Sequence, residues 1–137
     1  MKKFEQYTLK AFPSRGYIMS PVELKEYINF DVKRIYYVTK PTGDSGQHCH
    51  YIEKEFFILL QGTATAIIDR GKGKEEFPMT GPTSALYVPN YVWHGFKDFS
   101  EDAILLALSS TNYSPDRSDY LEDYEQYLTF RDEKLKN

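Results

Sequence analysis

Short apolar runs with two-residue alternation, separated by clusters of turn residues, make up most of the chain. The separating clusters, one of which spans residues 13–16, are rich in Gly, Pro, Asp and Ser, as is typical of turns between β-strands. Many short strands at close, regular spacing predict an all-β sandwich or barrel. The predicted strands cover residues 7–11, 16–20, 32–39, 47–51, 56–60, 63–69, 75–79, 85–88, 93–96 and 103–109.

The end of the chain departs from this alternation. From about Ser118, apolar residues recur at helical spacing, with acidic residues early and basic residues late, as the helix dipole favours. We therefore predict a C-terminal helix over about residues 118–135, packed on the barrel through a stripe of tyrosines. The apolar set is Tyr120, Leu121, Tyr124, Tyr127 and Leu128, and the charged set is Asp119, Glu122, Asp123, Lys134 and Lys136.

Length and charge indicate one cytoplasmic domain over residues 1–137. The 17 basic and 20 acidic residues give a net charge of −3, which argues against nucleic-acid or membrane-surface binding. The N-terminus has no apolar signal core, so a cytoplasmic location is expected. The single cysteine, Cys49, can form no intrachain disulfide and fits a reducing compartment.

All three histidines of the chain stand at positions that point to one cavity. His48 and His50 share a face of a predicted strand, while alternation turns Cys49 the other way. With Glu55 and Gly62 they form the spacing His-x-His-x4-Glu-x6-Gly, which is similar to the first cupin motif. The third histidine, His94, ends a Pro-Asn-Tyr-Val-Trp-His run over 89–94 that resembles the second motif, with Tyr91 at the customary glycine. This resemblance implies a cupin jelly-roll barrel.

Two chemistries fit such a cavity. Neutral imidazoles and a carboxylate suit a divalent transition metal, and His48, His50, Glu55 and His94 would be its ligands. Alternatively, the same residues transfer protons without a metal. Two imidazoles held side by side disfavour double protonation, so one can remain a free base and abstract a proton next to a carbonyl.

A wider resemblance favours proton transfer. The run Lys-Arg-Ile-Tyr-Tyr-Val at residues 33–38 resembles a strand of the dTDP-4-keto-6-deoxyglucose 3,4-ketoisomerases, which are cupins of deoxysugar biosynthesis. The likeness extends over roughly residues 5–130. It continues through residues 86–88, 92–94, 98–100, 105–108 and 119–124.

The resemblance implies the reaction and its residues. The ketone of a dTDP-linked sugar moves from C4 to C3 through an enediolate, with no cofactor, in a homodimer. His48 resembles the principal acid/base histidine, His50 its companion, and Tyr36 the tyrosine that assists proton transfer or holds sugar oxygens. The expected substrate-binding residues are Arg15, Arg34, Glu55, Trp93 and His94.

Arg15 and His94 also resemble the pair found in members that form the galacto product, 3-keto-6-deoxy-D-galactose, for Fuc3N-type pathways. The gluco product of Qui3N-type pathways is the alternative. Two positions depart from the family. Ser45-Gly46-Gln47 stands where an Arg-Gly-x run commonly precedes the first histidine, and Glu55 stands where glutamine is common, which keeps the metal-dependent alternative open.

Overall fold

The computed structural model describes residues 1–135, most of which form antiparallel strands. A 3₁₀ turn covers Leu24–Glu26, and one helix, α1, covers Tyr124–Lys134. The strands are β1 (Glu5–Thr8), β2 (Phe12–Ser14), β3 (Tyr17–Met19), β4 (Arg34–Val38), β5 (Cys49–His50), β6 (Glu55–Gln61), β7 (Thr63–Asp69), β8 (Lys74–Thr80), β9 (Ser84–Val88), β10 (Trp93–Lys97), β11 (Ile104–Ser109) and β12 (Tyr120–Leu121). The all-β prediction with a C-terminal helix is confirmed.

Two sheets enclose the main core. The larger has the strand order β1-β9-β6-β11-β4, and the smaller has the order β10-β7-β8. Every second residue of each sheet points inward, as strand geometry requires, so the inward side chains interleave in one apolar cluster. The larger sheet contributes Phe57, Leu59, Leu86, Val88, Leu105 and Ala107, and the smaller contributes Ala64, Ala66, Ile68, Met79 and Phe96.

The outer face of the larger sheet is also apolar. Phe56, Ile58 and Tyr87 lie on that face and are covered by the segment from 22 to 32, in which Tyr27 stacks on Phe56. Strand β6 is therefore buried on both faces over residues 56–59, which explains why these residues form a continuous apolar run rather than an alternating one.

Helix α1 covers the smaller sheet from outside. Tyr127 of this helix packs on Trp93 of β10, and its hydroxyl lies 2.7 Å from the carbonyl oxygen of Tyr91. The fully buried carboxylate of Asp69 accepts hydrogen bonds from Tyr124 (2.7 Å) and Arg131 (3.0 Å). Because a buried charge requires such partners, these bonds fix the helix on the barrel.

The helix begins later than the sequence predicts. Tyr120 and Leu121 form β12, which pairs with His50 and Cys49 of β5, and Asp123 caps α1 by accepting from the amide of Gln126. Pairing with the sheet satisfies the backbone here, so the helical spacing of residues 118–123 was misleading. The predicted basic residue Lys136 lies outside the described residues.

A second difference concerns the predicted turn over residues 13–16. Phe12–Ser14 is a strand that pairs with Tyr17–Met19, so the turn is reduced to Arg15 and Gly16. Gly16 has a φ of +76°, a conformation that glycine adopts readily. Within the described part of the chain, no helix is both long and apolar enough to cross a membrane.

Candidate active site

Direct backbone pairing brings His48 and His94 together. The amide of His48 donates to the carbonyl of His94 (3.0 Å), and the amide of His94 donates back to His48 (2.8 Å). Residues opposite each other in an antiparallel pair place their side chains on the same face. The two rings accordingly lie with their centroids 4.8 Å apart.

His50 joins them because it lies two residues after His48. Its ring is 4.8 Å from that of His48 and is almost fully buried. Tyr120 of β12 stands opposite His50 and places its ring 4.5 Å from His50 and 5.1 Å from His48. From the sequence, Tyr120 was expected in the packing stripe of a helix, so its position beside the histidines was not predicted.

The carboxylate of Glu55 lies at the centre of the cluster. Its Oε1 is 3.2 Å from Nε2 of His50 and 3.2 Å from Nε2 of His94, while Oε2 accepts a hydrogen bond of 2.5 Å from Tyr36. Burial alone raises the pKa of Glu55, but the hydrogen bonds from the two histidines reverse this and hold it well below the usual range. Glu55 is therefore an anion within the protein.

Tyr36 reaches Glu55 across a neighbouring strand. It lies on β4 opposite Ala107 of β11, and Ala107 in turn lies opposite Phe57 of β6. Burial of the hydroxyl, together with the charge of Glu55, raises the pKa of Tyr36. The hydroxyl therefore keeps its proton and donates a hydrogen bond to the carboxylate.

His48 and His50 are shifted in opposite directions. Burial and the neighbouring His94 and His50 lower the pKa of His48 to about 3, so its ring is neutral. Burial also acts to lower the pKa of His50, but the hydrogen bond and charge of Glu55, aided by Glu53 and Asp119, raise it overall. The expectation that one histidine of the pair stays a free base agrees with these directions.

Two further carboxylates that the sequence analysis missed surround His50. Glu53 is buried, lies 3.8 Å from Nε2 of His50, and accepts hydrogen bonds from Arg34 (3.1 and 3.2 Å) and Thr111 (3.0 Å). Asp119 Oδ2 lies 3.3 Å from Nδ1 of His50. Arg34 is thus engaged with Glu53, and its guanidinium also lies over the ring of Tyr36 at 5.4 Å.

A cavity of about 190 Å³ opens beside the histidines. Its walls include Tyr36, Gly46, His48, Phe57, His94 and Phe96. His48 therefore faces the cavity, whereas His50 is placed behind it. A second pocket of about 150 Å³ is lined by Glu53, Asp119, Tyr120 and neighbouring polar residues.

The structure does not bring Trp93 or Arg15 to the histidine cluster. Trp93 precedes His94 on β10, so alternation turns it to the outer face, where it packs on Tyr127 and donates from Nε1 to Gln47 (2.9 Å). Trp93 was predicted to contact the substrate directly. In the structure it instead packs against the helix. Arg15 lies at the exposed tip of the β2–β3 hairpin.

Tyr91, at the position that is glycine in the second cupin motif, adopts the glycine-like conformation with a φ of +75°. Such a conformation costs a side-chain-bearing residue about 1–2 kcal/mol. Two contacts offset this cost. The backbone amide of Tyr91 donates a hydrogen bond to the carbonyl oxygen of His50 (2.8 Å), and the Tyr91 ring packs on Phe130. The departure from the motif therefore leaves the local backbone path intact.

The residues also offer a geometrically complete metal set. The nearest ligand atoms of His48, His50, Glu55 and His94 all lie within 4.8 Å of one another. Nδ1 of His94 lies 3.0 Å from the carbonyl oxygen of Val92, which turns Nε2 towards the cluster as in metal-binding histidines. The same Nε2 atom lies 3.2 Å from Oε1 of Glu55, so the residues of the cluster also contact one another directly.

Comparisons with known proteins identify the family of this chain. The family model described as FdtA, WxcM-like, C-terminal matches residues 3–132. A relative from Aneurinibacillus thermoaerophilus, TDP-4-oxo-6-deoxy-alpha-D-glucose-3,4-oxoisomerase, is 32% identical over 123 residues, which is 88% of this chain and 86% of the relative.

Solved structures of two Campylobacter jejuni proteins are also similar. The WlaRB TDP-quinovose 3,4-ketoisomerase has a TM-score of 0.83 at 27% identity, over 94% of this chain and 99% of its own. WlaRA, a TDP-fucose-3,4-ketoisomerase, has a TM-score of 0.80 at 28% identity, over 98% and 99%. The predicted cupin fold is confirmed by these neighbours, and the chain belongs to the FdtA, WxcM-like family of dTDP-sugar 3,4-ketoisomerases.

Proposed function

We propose that this isomerase moves the ketone of dTDP-4-keto-6-deoxy-D-glucose from C4 to C3 by proton transfer at His48. The observation that carries the proposal is the position of His48: a neutral imidazole facing a cavity, beside a buried anion and its hydrogen-bonded tyrosine. A neutral imidazole is a base that needs no prior deprotonation.

The reaction requires two proton movements. The ketone at C4 acidifies the hydrogen on C3, and a base removes it to give an enediolate. The proton taken from C3 is then delivered to C4. A second proton leaves the hydroxyl oxygen on C3, and the oxygen on C4 gains a proton. His48 is proposed to transfer the proton between C3 and C4.

Tyr36 is proposed to assist at the sugar oxygens. Its hydroxyl donates to Glu55, so the oxygen can accept a proton from a sugar hydroxyl as its own proton moves to the carboxylate. His50, buried behind His48, is proposed as the companion that sets the charge around the base. Arg15, Arg34, Glu55 and His94 are proposed to contribute to substrate binding.

A metal-dependent reaction is the second candidate. It is favoured by the four-ligand set of His48, His50, Glu55 and His94, which would suit a divalent transition metal that polarises a sugar oxygen. The metal-free reaction is preferred because the same groups already form a paired network in which His48 is a free base.

We propose the galacto product, for use in Fuc3N-type biosynthesis. The two Campylobacter jejuni neighbours are named for fucose and quinovose products and match this chain about equally, so overall similarity does not choose between them. The choice rests on the resemblance of Arg15 and His94 to the pair found in members that form the galacto product. His94 lines the cavity, and the nitrogens of its imidazole can form hydrogen bonds with a substrate there.

We propose that a second copy of the chain covers the β2–β3 hairpin. An isolated two-stranded hairpin is marginal in water, and every residue of these two strands is exposed. Its large apolar side chains are Phe12, Tyr17, Ile18 and Met19, and β4 adds Ile35 and Tyr37. A homodimer would bury such a surface. The cytoplasmic location and the absence of nucleic-acid and membrane partners remain predictions.

The first prediction tests the reaction and its metal requirement together. NMR of the protein incubated with dTDP-4-keto-6-deoxyglucose should show the 3-keto product both before and after removal of divalent metals with a chelator. Loss of turnover in the metal-free protein, with recovery on adding one divalent ion, would establish the metal-dependent candidate instead.

The second prediction is that His48→Asn lowers turnover by about 10²- to 10⁴-fold, the range that general acid/base catalysis supplies. Asparagine preserves the backbone pairing with His94, so the fold and nucleotide binding should persist. His50→Asn should lower turnover less. Deuterium incorporation at C3 from heavy water is the measurement, and wild-type incorporation in His48→Asn would exclude His48 as the base.

The third prediction concerns the face of C4 that receives the proton. The enediolate is planar, so the side on which the donor stands fixes the product. Proton coupling constants of the wild-type product should show an axial hydroxyl at C4. The double change Arg15→Tyr with His94→Arg should shift the product towards the gluco epimer. An equatorial hydroxyl from the wild-type enzyme would reverse this assignment.

The fourth prediction is a dimer in solution. Light scattering should give twice the chain mass, and Ile18→Asp should shift the mass towards the monomer because it buries a charge in the proposed contact. Glu101→Asp, at an exposed position outside the hairpin, is the control and should leave the mass unchanged. A monomeric wild-type protein at micromolar concentration would refute the proposed contact.

A further inference from the structure

The hydroxyl of Tyr127 lies where helix α1 meets the backbone that leads into His94. Tyr127 is fully buried. Its hydroxyl oxygen lies 2.7 Å from the carbonyl oxygen of Tyr91 and accepts a hydrogen bond from the amide of Trp93 (3.3 Å). A tyrosine hydroxyl can both donate and accept, so this single group binds the backbone on both sides of Val92.

The amide of Trp93 and the carbonyl of Val92 belong to one peptide group. Because this group is planar and trans, its N–H and its C=O point in opposite directions. The N–H points to the hydroxyl of Tyr127, and on the opposite side the carbonyl oxygen lies 3.0 Å from Nδ1 of His94. One peptide plane therefore connects a hydroxyl of the helix with an imidazole that lines the cavity.

The contact with Val92 sets the direction of the His94 ring. With Nδ1 at the carbonyl oxygen, Nε2 points into the histidine cluster, where it lies 3.2 Å from Oε1 of Glu55. A partner at the far nitrogen is a common way to fix the orientation of an imidazole. Pairing with His48 fixes the backbone of His94, and the Val92 carbonyl fixes its ring.

We propose that Tyr127 is a positioning residue of the isomerase, which orients the imidazole of His94 through the peptide group between Val92 and Trp93. This inference rests on the proposed function, in which His94 contributes to substrate binding. A hydroxyl that holds the peptide plane keeps the ring in one direction, so the ring can bind substrate without prior rearrangement. Helix α1 thereby supports the site as well as covering the smaller sheet.

The test compares Tyr127→Phe with Tyr124→Phe. Both changes remove one hydroxyl from α1 and keep the aromatic ring that packs on Trp93. The Tyr124 hydroxyl donates to the side chain of Asp69 (2.7 Å), whereas the Tyr127 hydroxyl lies 3.0 Å from the carbonyl oxygen of that residue. Each variant loses a contact between the helix and the barrel, but only Tyr127→Phe releases the peptide group next to His94.

We expect Tyr127→Phe to raise KM about 2- to 10-fold, the effect of weakening one hydrogen bond to substrate, with kcat close to the wild-type value. Tyr124→Phe should retain the wild-type kcat and KM. In a His94→Gln background, where the ring is absent, Tyr127→Phe should cause no further rise in KM. An unchanged KM in Tyr127→Phe, an equal rise in Tyr124→Phe, or an equal rise in the His94→Gln background would overturn the proposal.

NMR of histidine-labelled protein supplies a readout that needs no substrate. The chain has three histidines, so the ring signals of His94 can be assigned by comparing the wild type with His94→Gln. These signals should shift in Tyr127→Phe and keep their positions in Tyr124→Phe. Unchanged His94 ring signals in Tyr127→Phe would contradict the proposal, whatever the kinetic result.

The wild-type protein decides the matter if Tyr127→Phe does not fold. Its Trp93 amide should be protected from exchange with solvent, as expected for an amide bonded to a buried hydroxyl. Exchange at the rate of an unprotected amide would overturn the proposal without any variant. Wild-type protein without turnover would instead refute the proposed function, whatever the behaviour of the His94 ring and the Trp93 amide.

Discussion

The buried negative charge of Glu55 is the constraint on which the site depends. A carboxylate with 1% of its surface exposed is stable only if nearly all of its acceptor capacity is used. His50, His94 and Tyr36 provide this, and they come from three separate strands. The need to satisfy one carboxylate therefore requires β4, β5 and β10 to meet above β6, and this is what creates a cavity with a defined set of polar groups.

The two apolar layers outside the sheets serve the same site. The segment over 22–32 covers the outer face of β6, and α1 covers the outer face of β10. Each strand that carries a catalytic candidate is thus held from behind by packed side chains. Rigid support of this kind keeps polar groups at the short distances that proton transfer requires.

The sequence predicted the parts of this arrangement that depend on local periodicity. Alternation placed His48 and His50 on one face and Cys49 on the other, and the structure confirms both. The same alternation separates Trp93 from His94, a consequence that the motif-based assignment of Trp93 overlooked. Strands were located within a few residues because turn chemistry and apolar runs are local signals.

Long-range pairing could not be predicted in the same way. Tyr120 and Leu121 fit a helical stripe, and only their pairing with His50 and Cys49 makes them a strand. Asp119 and Glu53 look like solvated surface acids in the sequence, because their roles depend on contacts 19 to 69 positions away along the chain. Tertiary contacts of this kind override local propensity without leaving a local signal.

The opposite pKa shifts of His48 and His50 show how such distant contacts give two like residues different properties. The two residues have the same side chain, strand and face, so the sequence gives no basis for assigning them different charges. The structure distinguishes them by their neighbours: His50 is surrounded by carboxylates from three segments, whereas His48 faces the cavity beside two other imidazoles. The two ring centroids lie only 4.8 Å apart, yet the pKa of His50 is raised and the pKa of His48 is lowered. The difference between the pKa values of the two histidines therefore follows from where the acidic residues of the surrounding strands and loops lie.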